Sequence, residues 1–412
     1  MARRSNGEGS VYIDSQGRYT AVISLPPDPV TGKARRKYVR AQSKAKVLRK
    51  LRDLQTEVAT GKVTTSSSPT VTKWMTTWID QEIAPRRKPS TTADYRSILR
   101  LHITPAIGRR RLDQLTAADV RAVHRQVTAS GASTSTAAKV HRVLRAALTV
   151  AEREGMTSRN VARLVAAPPT PLRAPRAMTL DETRAFLAAQ AGQPDEARWS
   201  LALMLGPRQG ERLGLQLDHI HLDDPTPWID LAWELRRVTY AHGCGPQQTD
   251  GTWPCARRRA GSCPDRTAPV PDVMESQQVH GGLYLLRPKT LGSNRRAALP
   301  AILADAIRTH IKSTKPTRFL FESRPGIPID PRRDYADWQA ALAAQGLPPM
   351  KLHSARHTCA TLLLEAGADQ RTIQEILGQT QALTLARYQH PGLDHQAQAL
   401  TALAGRVGAT TR

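Results

Sequence analysis

Two segments of this 412-residue chain are unsuited to regular structure, and they decide how the rest can fold. Residues 166–177 contain four prolines, and proline at this density keeps the backbone extended because its ring cannot continue a helix. Residues 63–69 are mostly serine and threonine without apolar periodicity, which is typical of a linker. We therefore predict three domains, at 1–62, 70–166 and 177–412, with linkers at 63–69 and 167–176.

The first domain is predicted to be a small β-sheet followed by a basic helix. Strands are expected at Val11–Ile13, Tyr19–Leu25 and around Lys37–Arg40, and a helix at about Ser43–Ala59. The domain carries 14 Lys and Arg against 5 Asp and Glu, and a narrow sheet of this charge suits the major groove of DNA. The residues expected to contact DNA are Arg35, Arg36 and Lys37. A solvated face on an accessory domain is the alternative.

The second domain is predicted to be entirely helical. Apolar residues from Val71 to Ile79 recur at the spacing of a buried helix face, and further helices are expected from Ser90 and after Thr116. The longest helix buries Val140, Val143, Leu144, Ala147, Leu148 and Ala151. Its opposite side carries a basic stripe of Lys139, Arg142 and Arg145, which we expect to contact DNA phosphates. A merely solvated face is the alternative.

The third domain is predicted to begin at a capping box, Thr179–Glu182. It also contains an arginine, Arg208, whose side chain a neighbouring glutamate is expected to orient. A helix is predicted to stop at Gly206-Pro207, which leaves Arg208 at a turn with Glu211 one helical turn further on. Glu211 is expected to orient the Arg208 guanidinium, and an oriented guanidinium can hold two phosphate oxygens at once. An ordinary surface salt bridge is the alternative for this pair.

Two further stretches carry residues suited to phosphate chemistry. Residues 285–300 are predicted to form a hairpin with its turn at 292–294, and Lys289 on it suits protonation of a leaving oxygen. His353 and Arg356 are three residues apart on one face of a predicted helix. A second helix follows from an N-cap at Asp369 to Gly378, and a single tyrosine, Tyr388, lies ten residues beyond.

The charge of the chain indicates a polyanionic partner. Lys and Arg number 60 against 35 Asp and Glu, so the net charge is +25 and the pI about 10.7, and such a surplus predicts salt-sensitive binding to nucleic acid. No apolar run approaches the ~18 residues of a membrane span, and the N-terminus lacks the apolar stretch of a signal peptide. Four cysteines form no disulfide framework in a chain of this length, which favours a cytoplasmic location.

These motifs together resemble a known family. GPRQGERLGL (206–215), RPKTLGSNRRAALP (287–300), HSARH (353–357), LGQ (377–379) and ARYQH (386–390) occur in the order and spacing of the tyrosine recombinases, which include the phage-type integrases. The resemblance implies a multidomain α+β fold: a small β-sheet arm-binding domain, an all-α core-binding domain, and a mainly α catalytic domain with a small β-sheet.

The resemblance also implies the site. Arg208 and Arg356 would clamp the scissile phosphate, Lys289 and His353 would assist, Tyr388 would be the nucleophile, and Glu211 would support Arg208. One position departs from the family pattern, because Gln379 stands where His or Trp is usual. A glutamine amide can donate a hydrogen bond to a phosphate but cannot act as a general acid, so we expect activity to survive.

The implied reaction is site-specific cutting and rejoining of double-stranded DNA through a 3′-phosphotyrosyl link, without a cofactor or a catalytic metal. It would integrate, and excise, a phage or mobile element at attachment sites, as a homotetramer on two duplexes with an excision factor and a host DNA-bending protein. Two alternatives belong to other classes. A DNA-binding regulator would share the basic domains without catalysis, and a metal-dependent nuclease would use the acidic and histidine residues at 218–224.

A separate cluster lies in an apparent insertion at about 241–281. His242, Cys244, Cys255 and Cys263 supply the ligand types of a tetrahedral zinc site, with His280 as a spare. The spacing between the cysteines matches no compact zinc knuckle. A structural zinc and free cysteines in a flexible loop therefore both remain open.

Overall fold

The protein is described by a computed structural model over residues 10–25, 35–59, 68–170, 176–248, 250–287 and 295–378. The chain divides into two compact units, Met1–Pro171 and Leu172–Arg412. The elements of the first unit are β1 (Ser10–Ile13), β2 (Tyr19–Leu25), β3 (Arg35–Ala41), α1 (Lys44–Ala59), α2 (Val71–Trp78), α3 (Pro89–Ile98), α4 (Thr104–Ile107), α5 (Ala117–Ala129) and α6 (Thr134–Arg153). Wider π-helical turns at Ile79–Ile83 and Leu99–Ile103 continue α2 and α3.

The N-terminal sheet is antiparallel in the order β1-β2-β3. Strand alternation turns Ala21 and Ile23 of β2 inward, where they pack against Val47, Leu51 and Leu54 of α1. The predicted strands and helix of this region are therefore confirmed. Its small core depends on α1 covering one face of the sheet, because an isolated narrow sheet has too little apolar surface to be stable.

The helical region has one continuous apolar core. The Trp74 indole donates a hydrogen bond to the carbonyl of Ala147 at 3.1 Å, which ties α2 to the middle of α6. Local sequence defines the helix starts, because Thr116 and Asp119 form a reciprocal capping box at α5 and Ser133 caps α6. The six residues predicted to face inward on α6 are all buried.

The second unit is mainly helical, with short antiparallel sheets. Its elements are α7 (Leu180–Gln190), α8 (Glu196–Met204), α9 (Gln209–Leu213), β4 (Ile220–His221), β5 (Trp228–Asp230), β6 (Glu234–Arg237), β7 (Ser276–His280), β8 (Leu283–Leu286), β9 (Arg296–Ala298), α10 (Ala301–Thr314), β10 (Glu322–Arg324), β11 (Ile327–Pro328), α11 (Pro331–Ala344), α12 (His353–Glu365) and α13 (Gln370–Leu377). Thr179 and Glu182 form the predicted capping box at α7. The α+β fold class predicted from the sequence is confirmed.

The strands show that one prediction was wrong. The stretch 285–300 does not pair with itself as a hairpin along its described residues, because β8 lies between β6 and β7 while β9 pairs with β5 in a different sheet. All four residues of β8 are buried, so both faces of this central strand are covered. Residues 288–294, which hold the predicted turn, lie outside the described residues.

A buried ion network joins α8, α9 and α11. The Arg212 guanidinium donates to both carboxylate oxygens of Asp334, at 2.9 and 2.8 Å, and Arg198 reaches the same carboxylate at 3.4 Å. Gln209 donates to Asp334 at 2.8 Å. Both guanidiniums lie over the ring of Trp199, so the network holds the start of α9 in place.

Removal of the central carboxylate is expected to destabilise this unit. In Asp334→Asn two buried guanidiniums lose their shared counter-charge, which should cost about 3–5 kcal/mol of the free energy of unfolding. Urea unfolding of the full chain, followed by tryptophan fluorescence, measures the change. Asp337→Asn is the matched control because Asp337 also pairs with Arg198 but is 32% exposed. Equal midpoints for the two variants would contradict a central role for Asp334.

Candidate active site

Arg208 stands at the N-terminus of α9, where local geometry fixes it. Its backbone amide donates to Glu211 at 2.8 Å and its guanidinium donates to the other carboxylate oxygen at 2.5 Å. The same guanidinium donates to the carbonyl of Gly378 at 3.1 Å. The predicted orientation of Arg208 by Glu211 is therefore present, and it is stronger than a surface salt bridge because Glu211 is 2% exposed.

A second arginine, Arg295, shares the Glu211 carboxylate. It donates to Glu211 at 3.0 Å and to the carbonyl of Ile376 at 2.8 Å. Burial alone would raise the pKa of Glu211, but the positive charges of Arg295 and Arg208 and their hydrogen bonds lower it below the usual value. Glu211 is therefore an anion that bridges two guanidiniums.

Sequence reasoning did not select Arg295. A usable signal was the alternation of β9, in which Ala297 is buried and Arg296 is exposed against Trp228. Because side chains two residues apart share a face of a strand, this pattern turns Arg295 inward. Its Nη1 atom is buried without a hydrogen-bond partner among the described residues.

Arg356 is buried on α12, one turn after His353. Its guanidinium donates to the carbonyl of Gly206 at 2.9 Å and to the carbonyl of Leu377. Burial, and next the positive charge of Arg208, lowers the pKa of Arg356 to about 9. The residue remains a cation at neutral pH, but in surroundings that favour the arrival of an anion.

The C-terminal end of α13 anchors all three arginines. The carbonyls of Ile376, Leu377 and Gly378 each accept a hydrogen bond from a different guanidinium, that of Arg295, Arg356 and Arg208 respectively. These carbonyls have no partner inside their own helix and carry its partial negative charge. One helix end therefore gathers three cations.

Two glycines make this end possible. Gly206 and Gly378 both have left-handed backbone conformations, with φ of +64° and +61°. A Cβ atom on Gly378 would lie 2.7 Å from Nη1 of Arg295, and one on Gly206 would lie 2.9 Å from the side chain of Leu377. Any side chain at either position would displace the groups that hold the arginines.

His353 opens α12 and remains exposed to solvent. Its ring meets the ring of His357 edge-on at 4.7 Å. Desolvation by the surrounding protein, followed by the charges of Arg356 and Arg208, lowers the pKa of His353 below 6.5. The imidazole is therefore neutral at neutral pH and can accept a proton.

The structure accounts for some of the predicted site and leaves the rest untested. Arg208, Glu211, His353 and Arg356 lie together around the end of α13. The remaining predicted catalytic residues, Lys289, Gln379 and Tyr388, lie outside the described residues.

The predicted DNA contacts differ in their surroundings. Arg36 and Lys37 of β3 are exposed, and so are Arg142 and Arg145 of α6. Lys139 pairs with Asp94 at 2.7 Å, so part of its charge is neutralised within the protein. The side chain of Arg35 is outside the described residues.

The acidic stretch at 218–224 does not form a metal site. Asp224 accepts a hydrogen bond from the Trp228 indole at 2.6 Å, and His221 stacks on the same ring. In the described part of the chain, the only group of three or more His, Cys, Asp or Glu ligand atoms within 4.8 Å of one another is that of His242, Cys244, Cys255 and Cys263. His280, the predicted spare ligand, lies in β7 outside this group.

Comparison with known proteins identifies the family of the chain. The phage integrase family matches residues 274–394, and the phage integrase central domain matches residues 71–167. The chain is 29% identical over 414 residues to an integrase of Saccharopolyspora erythraea, and the match covers 94% of each protein. It is 34% identical over 117 residues to the tyrosine recombinase XerC of Mycobacterium leprae (strain TN), across 26% of this chain and 39% of that protein.

Solved structures share the fold. The Tn1549 transposon integrase in complex with a circular intermediate DNA aligns with a TM-score of 0.61 at 19% identity, covering 82% of this chain and 100% of that one. A lambda integrase tetramer bound to a Holliday junction aligns with a TM-score of 0.52 at 16% identity, covering 90% and 95%.

The fold and the arginine site define an enzyme that recombines DNA at specific sites. The chain belongs to the phage integrase family and is a tyrosine-type site-specific recombinase. Recombinases of this family need no cofactor for catalysis. No helix in the described part of the chain is long and apolar enough to cross a membrane.

Loss of the Glu211 charge is expected to slow strand cleavage without preventing DNA binding. In Glu211→Gln the Arg208 and Arg295 guanidiniums lose their shared anion and their fixed positions, which should reduce the cleavage rate by about 10²–10³, the typical effect of losing one preorganised donor. The measurement is single-turnover cleavage of labelled attachment-site DNA, with affinity taken from a gel-shift titration.

Glu375→Gln is the matched control for this experiment. Glu375 pairs with Arg371 on the outer face of α13 and its side chain is 68% exposed, so this variant should cleave at the wild-type rate. Wild-type cleavage by Glu211→Gln would show that the bridging carboxylate is dispensable.

Proposed function

We propose that this recombinase cuts and rejoins DNA through a covalent 3′-phosphotyrosyl intermediate formed by Tyr388. The observation that supports this chemistry is the fixed pair of Arg208 and Arg356, which are held by adjacent carbonyls at the end of α13. Two preorganised guanidiniums suit the two non-bridging oxygens of a phosphodiester and stabilise the charge of its pentavalent transition state. Tyr388 lies ten residues after Gly378, the residue that ends this helix.

The step proceeds by transesterification. The Tyr388 oxygen attacks phosphorus and the 5′-oxygen of the next nucleotide leaves, so one phosphoester bond replaces another and no external energy source is consumed. His353, neutral at pH 7, accepts the phenol proton, and Lys289 donates a proton to the leaving oxygen. Gln379 donates a hydrogen bond to a phosphate oxygen in place of a general acid. Attack by the released 5′-hydroxyl of a partner strand reverses the chemistry and completes the exchange.

The domains bind DNA attachment sites in this proposal. Residues 1–62 bind arm-type sites through the exposed face of β3, residues 70–166 bind core sites through α6, and residues 177–412 perform catalysis, with linkers at 63–69 and 167–176. The solved integrases are bound to DNA, one of them as a tetramer on a Holliday junction. By analogy, this chain acts as a homotetramer on two duplexes.

The biological reaction is integration and excision of a phage or mobile element. An excision factor and a host DNA-bending protein set its direction, and the protein acts on the chromosome in the bacterial cytoplasm. The similarity to an integrase along almost the whole chain supports this role.

The nucleophile is tested by trapping the covalent intermediate. Wild-type protein incubated in EDTA with nicked attachment-site DNA should give a DNA–protein adduct on a denaturing gel, because the phosphotyrosyl bond survives denaturation. Tyr388→Phe should give none, because it lacks the attacking oxygen. Tyr335→Phe is the matched control, since Tyr335 is exposed on α11. Adduct formation by Tyr388→Phe, or absence of the adduct from wild type both with and without EDTA, would contradict the mechanism.

The role of His353 predicts a pH dependence with a definite sign. The lowered pKa keeps the imidazole neutral at pH 7, and protonation in acid removes its ability to accept a proton. The apparent kcat/KM for cleavage, which reports the free enzyme, should therefore be flat near neutral pH and fall by about tenfold per unit below the lowered pKa.

His353→Gln separates this effect from general acid sensitivity. The variant should have a kcat/KM about 10² lower at neutral pH and should lack the acidic fall. An acidic fall that persists unchanged in His353→Gln would assign it to another group.

A further inference from the structure

Most of the connection between β6 and β7 has no hydrophobic core of its own among the described residues. It runs from Val238 to Glu275, and within its described part regular structure is confined to a single turn at Ala260–Ser262. No described residue between 240 and 267 joins a hydrophobic cluster of the protein. A segment of this size without an apolar core needs another cross-link to keep one conformation.

The chain nevertheless closes this segment on itself. Ala241 and Thr267 exchange backbone hydrogen bonds at 2.8 and 3.0 Å, so the two ends of the loop run side by side. Gly243 then passes so close to the opposite arm that a Cβ atom on it would lie 2.0 Å from the carbonyl oxygen of Asp265. This approach brings residues that are distant in sequence to a common point.

Four ligand atoms meet at that point. Nδ1 of His242 lies 3.5 Å from Sγ of Cys255 and 3.8 Å from Sγ of Cys244. These atoms and Sγ of Cys263 all lie within 4.8 Å of one another. A tetrahedral zinc ion with Zn–S bonds of about 2.3 Å and a Zn–N bond of about 2.0–2.1 Å separates its ligand atoms by roughly 3.5–3.8 Å.

We propose that His242, Cys244, Cys255 and Cys263 bind one structural zinc ion that folds the β6–β7 connection. The ligand set is one imidazole and three thiolates, with no position left open for water or substrate, which is the pattern of a structural rather than a catalytic zinc. Binding releases three thiol protons to solvent, and the metal exchanges no electrons. The site is separate from recombination chemistry, which needs no metal.

The surroundings of the ligands fit this assignment. The His242 ring stacks on Trp253 with centroids 4.1 Å apart and planes 7° from parallel, which fixes the direction of Nδ1. Cys263 is fully buried, and Cys244 and Cys255 are half-buried. Nε2 of His242 carries the proton when Nδ1 binds metal; it is buried without a hydrogen-bond partner in the described residues.

The alternative chemistries of clustered cysteines fit less well. All four cysteines of the chain are free, and three thiols at one point cannot all pair as disulfides. A redox pair would leave the imidazole and the third thiol unexplained. The fourth cysteine, Cys359, lies far along the chain on α12, and burial raises its pKa to about 12, so it is a suitable control thiol.

Metal content of the purified full-length protein tests the proposal. Wild type should contain one zinc per chain by inductively coupled plasma mass spectrometry, and Co²⁺ in its place should give the intense visible bands of a tetrahedral thiolate site. Cys255→Ser should lose stoichiometric zinc, whereas Cys359→Ala should retain it. Absence of zinc and cobalt binding in wild type, or unchanged binding in Cys255→Ser, would overturn the site.

A second measurement avoids the risk that a ligand variant does not fold. In wild type, alkylation followed by peptide mass spectrometry should show that Cys244 and Cys255 react with iodoacetamide only after a chelator removes the metal. Far-ultraviolet circular dichroism checks that the catalytic unit stays folded in the chelator. Equal reaction of both thiols before and after chelation would identify them as free cysteines.

Discussion

The C-terminal end of α13 is the contact on which the catalytic geometry depends. Three successive carbonyls, from Ile376 to Gly378, each accept a hydrogen bond from one guanidinium. A helix can offer several such acceptors within one turn because its last carbonyls have no partners of their own. The arginines come from three separate parts of the chain, at the start of α9, just before β9 and on α12. Because one helix end positions all three guanidiniums, a small shift of α13 would move the three arginine side chains together.

This dependence explains why a glycine follows the helix. The left-handed conformation of Gly378 directs its carbonyl at Arg208 and leaves room for Arg295, whose atoms occupy the space that a side chain would need. Tyr388 lies ten residues after this glycine in the sequence. The segment that carries the proposed nucleophile therefore follows directly after the helix end that anchors the three arginines.

Much of this fold was predictable from local sequence, and the failures were non-local. The capping boxes at Thr116 and Thr179, the end of α8 at Gly206 and the N-cap at Asp369 depend on residues a few positions apart, so their patterns were readable. Strand pairing could not be predicted from such local patterns. The hairpin predicted at 285–300 was wrong because β8 and β9 pair with strands of two different sheets. Arg295 was missed for a related reason: strand alternation indicates that it turns inward, but its contacts with Glu211 and α13 are non-local.

The two buried charge groups of the catalytic unit differ in their balance, and the difference separates support from function. Around Asp334, the arginines at 198 and 212 face three carboxylates, because Asp195 and Asp337 also pair with Arg198. The positive charges of that group are already balanced by carboxylates of the protein, so the group needs no anionic ligand. Around Glu211, the guanidiniums of Arg208 and Arg295 share one carboxylate, and a third guanidinium, that of Arg356, has its pKa lowered in part by the charge of Arg208. Helix-end carbonyls hold these cations but supply only partial charges. In the proposed mechanism, an incoming phosphodiester supplies the missing anion and relieves the repulsion among these cations.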